Sequence, residues 1–167
     1  MQQTVTTRDD GRLEVDLTAS ETEGQFLTFM VENGEYGIEI RYVTEIIGVQ
    51  DITSVPYTYH YVKGIINLRG TIVTVIDMRS RFNLPEIPYT DRTCIIVLSM
   101  DDMSIGLIVD SVVEVANIDD DNIKPPPRNS NVRQGRYVRS IGYVNDRVMQ
   151  LLDIEQIFEV SETQMKM

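Results

Sequence analysis

An all-β fold, built from two copies of one small barrel, is what this chain predicts. Three observations carry that expectation. Short β-branched runs recur along most of the chain, each closed by Gly, Asn, Asp or Pro; such runs pack well on a pleated sheet, and those residues turn the chain. The two halves of the chain repeat each other. The stretch from 61 to 79, Y-V-K-G-I-I-N-L-R-G-T-I-V-T-V-I-D-M-R, places two strand-like runs around Asn67-Leu68-Arg69-Gly70.

The repeat is read residue by residue. Phe26-Leu27-Thr28-Phe29 matches Ile95-Ile96-Val97-Leu98, and Tyr36-Gly37-Ile38 matches Ile105-Gly106-Leu107. Val43, Glu45 and Ile46 match Val112, Glu114 and Val115. Tyr61-Val62-Lys63 then matches Tyr137-Val138-Arg139, and Val75 to Met78 matches Leu151 to Ile154. Two copies of one supersecondary unit, each small for a core of its own, are expected to share an interface. The first barrel is expected at about 24–90 and the second at about 91–160, with exchange of a strand possible. The turn differs between copies: Asn67-Leu68-Arg69-Gly70 faces Tyr143-Val144-Asn145-Asp146, which has no arginine.

In chain order, residues 1–23 are rich in Thr, Asp and Glu and are expected as a mobile tail. The alternation of Leu13, Val15 and Leu17 leaves strand pairing as the alternative. Phe26–Val31 and Tyr36–Ile40 form a hairpin across Glu32-Asn33-Gly34-Glu35. Tyr42–Ile47 reads as one helical turn or a bent strand, and Ile52–Pro56 as a strand end. Met78–Leu84 is a short helix or turn stopped by Pro85 and Pro88. Cys94–Met100, Ser104–Asp110 and Val112–Ile118 are strands. Lys124-Pro125-Pro126-Pro127 opens a polar loop that continues from Arg128 to Arg136. Arg139–Val144 and Val148–Ile154 make the last hairpin, and I-E-Q-I-F-E-V a short C-terminal helix.

Composition excludes several functions. The formal net charge of −11 and pI near 4.5 oppose nucleic-acid binding and a polybasic membrane anchor. No apolar run is long enough to insert in a bilayer, and the N-terminus lacks the apolar core of a signal peptide. A cytoplasmic location is expected. His60, the one histidine, has no nucleophile motif around it, and Cys94 has no Cys-x-x-Cys or His partner. They read as a loop histidine and a small buried apolar residue. The Asp101-Asp102 and Asp119-Asp120-Asp121 runs lack the ligand alternation of a calcium loop and read as solvated turns. No metal, cofactor or catalytic activity is expected.

Glu45 and Glu114 sit at equivalent places, two residues after a valine. Either both are exposed on a repeated bend, or Glu45 pairs with Arg69 and fixes the turn.

The run V-K-G-I-I-N-L-R-G-T-I-V-T-V-I-D-M-R, preceded by Y-G-I-E-I-x-x-V-T-E-I and followed by I-G-L-I-V-D-S-V-V-E-V and I-K-P-P-P, resembles the CheW family of chemotaxis coupling proteins over about residues 24–160. The resemblance implies two intertwined five-stranded barrels of SH3-like topology. It implies a non-enzymatic adaptor between the cytoplasmic tips of methyl-accepting chemotaxis proteins and the regulatory domain of the histidine kinase CheA. No receiver, kinase or phosphotransfer segment is attached, so a stand-alone coupler is expected. Partner-binding candidates carried over by motif position are Val43, Glu45, Ile46, Gly64, Arg69 and Gly70 in the first copy, and Ile95, Gly106, Val112 and Val115 in the second. For the apolar ones, ordinary core is the competing reading. Competing functions are a CheW-like adaptor of another sensory array, such as one for surface motility, and a barrel with a deep apolar pocket for a small molecule or peptide.

Overall fold

Two β-sheets share thirteen strands in the computed structural model, which describes residues 22–127 and 137–158 and the backbone of 4–7 and 13–16. The strands are β1 (Thr4–Thr7), β2 (Leu13–Asp16), β3 (Gln25–Val31), β4 (Gly34–Glu39), β5 (Val43–Gly48), β6 (Val62–Leu68) and β7 (Thr71–Asp77). After the short helix α1 (Met78–Arg81) come β8 (Cys94–Met100), β9 (Met103–Val109), β10 (Ser111–Asn117), β11 (Ile123–Lys124), β12 (Val138–Val144) and β13 (Arg147–Leu152). Residues 154–158 are helical. One sheet runs β1-β2-β5-β8-β9-β7-β6, the other β10-β3-β4-β13-β12-β11. Without the N-terminal pair and the two-residue β11, each is five-stranded.

The barrels are intertwined rather than consecutive. The β3–β4 hairpin, from the first half of the sequence, joins β10, β12 and β13; the β8–β9 hairpin joins β5, β6 and β7. Parallel pairs seal the exchange: β7 lies beside β9 and β13 beside β4. A division near residue 90 therefore matches neither sheet. Exchange follows from the packing, because each hairpin buries one face in a barrel and the other between the barrels. Ile47, Ile66, Val75 and Ile95 fill the first barrel, and Phe26, Met149 and Leu151 the second. The largest cluster lies between them and draws on both sheets, with Phe29, Ile38, Ile96, Leu107 and Phe158.

Equivalent residues do equivalent work in the two copies. β5 is bulged between Val43 and Glu45, and β10 between Val112 and Glu114. The amide of Asp77 donates to the Tyr61 carbonyl at 2.8 Å, as Asp153 does to Tyr137 at 2.7 Å. Each Asp then caps the helix it precedes, accepting from the amide of Arg79 or Gln156. Arg81 stacks on both mates at once, 4.2 Å from the Tyr61 ring centre and 4.3 Å from Tyr137.

Most elements fall where expected, and three differ. Residues 42–47 combine both readings: a 3-10 turn at Ile40–Tyr42 leads into the bulged β5. Only Thr53 of the 52–56 stretch pairs, in a single bridge to Ile65. The N-terminal stretch expected as a mobile tail contains β1 and β2, and β2 extends the sheet by pairing Leu13 with Ile46 and Glu14 with Glu45. An exposed strand edge is a template for whatever alternating segment lies nearby. The loop from 128 to 136 lies outside the described residues.

Candidate docking face

The turn between β6 and β7 is two residues long, since Leu68 pairs with Thr71. Its residues, Arg69 at φ +51° and Gly70 at φ +89°, occupy the left-handed region that this tight hairpin demands. Asn-Gly is the preferred occupant. Arginine there is strained by about 1 kcal/mol, so another interaction must hold it. Two do. Asn67 Oδ1 accepts from the Gly70 amide at 2.8 Å, and Arg69 Nη2 donates to Glu45 Oε1 at 2.7 Å. Glu45 is 4% exposed while the Arg69 side chain is 49% exposed, so the pair joins a buried carboxylate to a cation at the surface.

Two concavities meet on β5. Thr44 and Glu45 line a polar pocket of about 270 Å³ with Arg69, Thr71, Ser99 and Ser104. Ile46 to Gly48 line the other, an apolar groove of about 600 Å³ between the sheets. Its far wall is Met30 of β3 with Val112 and Val113 of β10; Arg92 and Cys94 complete the near side. Arg79 braces the chain segments that flank the far wall. That side chain holds Asp110 through Nε and Nη2, both at 2.8 Å, and also meets Glu32 and the Pro85 carbonyl. Asp110 immediately precedes β10 and Glu32 follows β3, so one guanidinium ties the far wall to α1.

The ten sequence candidates separate accordingly. Glu45 and Arg69 form the pair, Ile46 and Val112 line the groove, and Gly70 completes the turn. Val115 is half-buried against the central core. Val43 and Ile95 are core, as the competing reading allowed. Two glycines serve close approach instead of contact. A Cβ on Gly64 would lie 2.0 Å from the Thr53 carbonyl oxygen, and one on Gly106 would lie 2.7 Å from Ile95 Cγ2.

The pairing itself is duplicated, which corrects the asymmetry read from the turns. Arg147, two residues beyond the position matching Arg69, donates to Glu114 at 2.9 Å and also binds Glu35. Aligning only the four turn residues hides it, because the arginine has moved from the turn onto the following strand. Glu114 is exposed where Glu45 is buried, and the first pair lines the polar pocket. Exposed Ile72 and Val148 also escaped notice, although they sit at matching places after the two turns.

Cys94 is half-buried at the groove rather than buried in the core, and desolvation pushes its thiol up to about 11. His60 is exposed, with Nε2 3.1 Å from the Ser80 carbonyl oxygen. Among the described residues, no group of three or more His, Cys, Asp or Glu is placed to hold a metal ion, and no helix is long and apolar enough to cross a membrane.

Fold and face together define an intertwined two-barrel module with an apolar groove beside a charged pocket. The chain belongs to the CheW family: the profile described as CheW-like domain matches residues 25–162. It is 36% identical to the chemotaxis protein CheW of Klebsiella aerogenes, over 91% of this chain and 92% of that one. It is 32% identical to the chemotaxis protein CheW of Bacillus subtilis, over 86% and 92%. The crystal structure of the scaffolding protein TtCheW from Thermoanaerobacter tengcongensis superposes with a TM-score of 0.78 at 32% identity, covering 86% of this chain and 97% of that one.

Proposed function

We propose that the protein is a non-enzymatic adaptor that couples the cytoplasmic tips of methyl-accepting chemoreceptors to the regulatory domain of the kinase CheA, in the cytoplasm at membrane-associated receptor arrays. The observation that carries this reading is the placement of the groove and the Glu45–Arg69 pair on consecutive residues of β5. A groove of about 600 Å³ walled by Ile46, Ile47, Met30 and Val112 suits the apolar stripe of a helix, the form in which a receptor tip would present itself. The rigid turn beside it offers a fixed cation and exposed strand residues for a barrel–barrel contact. Membership of the family supports both partners. Co-sedimentation of this protein with receptor-tip fragments and, separately, with the CheA regulatory domain tests the reading; retention by both supports it, and retention by neither overturns it.

A further inference from the structure

The two barrels differ at one edge. In the first, β5 pairs with β8 over Val43–Gly48, and β2 takes its other side. In the second, the sheet ends at β10, the repeat mate of β5 with the same bulge, and no strand covers it among the described residues. A barrel of this kind therefore closes without a covering strand, and β2 is an addition to the first copy. Its position is the docking face. Leu13 pairs with Ile46 and Glu14 with Glu45, the two residues at which groove and polar pocket meet. Ile46 and Ile47 are 3% and 2% exposed and Gly48 has no side chain, so a partner reaching β5 from the groove meets its main-chain edge. At Ile46 that edge is the one β2 holds. Paired strands lie about 4.8 Å apart, and a helix with its side chains is about 10–12 Å across. A helix seated against Ile46 and a strand paired with it claim the same space.

The attachment is slight. β2 matches β5 at two residue pairs and β1 at four, against five between β5 and β8. A two-stranded hairpin is barely stable alone, so this one depends on β5 to persist. Two pairs at an outer edge can be given up without opening either barrel. We propose that the N-terminal β1–β2 pair is a displaceable strap, which occupies the β5 edge in the free protein and competes with the receptor-tip helix for the docking face. The strap rests on the docking role proposed above and regulates that same site. Because strand and helix exclude each other, the helix meets only the molecules whose strap is open, and its apparent affinity is lowered by that fraction.

The test compares the full chain with a full-length variant carrying Leu13→Pro and Glu14→Pro. Neighbouring residues of a strand donate to opposite sides, so the two prolines remove one donor toward β1 and one toward β5. Neither position lies in a five-stranded barrel. Amide hydrogen exchange reads the strap without a partner. Whichever of Glu45 and Ile46 donates to β2 is expected to exchange about tenfold faster in the variant, with the β8 and β9 amides unchanged. The variant is expected to bind receptor-tip fragment more tightly by the same factor, about tenfold, since both report the ratio of closed to open strap. In the wild type, saturating fragment is expected to strip protection from the β2 amides. Unchanged exchange at Glu45 and Ile46 overturns the strap, and so does protection of β2 retained with fragment bound. Faster exchange with fragment affinity unchanged or lowered also overturns it, and leaves the docking reading intact. If the fragment binds neither form, the docking reading fails and the strap fails with it.

Discussion

Arg69 reaches Glu45 across 2.7 Å from a backbone position that arginine disfavours, at φ +51°. The turn would be more stable with asparagine there, so its residue was not chosen for the turn. Strain of this kind points from geometry to use.

Substitution can separate the two contributions. Arg69→Ala loses the pair and keeps the strained backbone; Arg69→Asn loses the pair and relaxes it. We expect Arg69→Asn to be more stable than Arg69→Ala by about 1 kcal/mol in chemical denaturation. Both should lose partner binding equally. Combined with Glu45→Ala, either should show losses that are not additive, and simple additivity would contradict coupling through the pair.

The glycines of the docking motif should fail for different reasons. Gly70→Ala meets open space but keeps φ +89°, a cost of about 1 kcal/mol. Gly64→Ala adds a collision with the Thr53 carbonyl, and should cost about 3 kcal/mol or more and break the Thr53–Ile65 bridge. Equal losses would show that the bridge yields freely.

Much of this was legible beforehand. The strands were visible because Val, Ile and Thr run between turn residues, and the repeat because its offsets are constant over β3, β4 and β5 and their mates. Sheet membership was not. That β7 lies beside β9 depends on which face of a hairpin is buried twice, and Phe29 and Ile95 read alike as apolar residues in strands. Burial likewise hid Val43 and Ile95 among the docking candidates, and a shift of two residues hid Arg147.

Asp77 offers a pH test with a definite sign. Burial pushes its carboxyl up, with the Arg79 amide, Lys63 and Ser80 pulling the other way. A carboxyl with a raised folded pKa binds its proton more tightly when folded, so it opposes folding once ionised and the penalty fades as pH falls. Asp77→Asn keeps an oxygen for the helix cap. Relative to wild type, it should be most favourable near neutral pH and lose that advantage on acidification, measured by denaturation at a series of pH values.

Cys94 can report on the groove. With its thiol pushed up to about 11 from 9.0, about a hundredfold less thiolate is present near neutral pH than for an unburied cysteine. Alkylation should be slow and should accelerate steeply with pH. Saturating receptor-tip fragment should slow it further, whereas unchanged labelling would place the receptor elsewhere.

The most direct measurement is CheA autophosphorylation in a reconstitution of receptor, kinase and this protein. The account predicts that receptor control of the kinase appears when the wild-type protein is added and is lost with Arg69→Asn, the variant expected to be the more stable of the two at that position. Receptor control without the protein, or undiminished by Arg69→Asn, would contradict it.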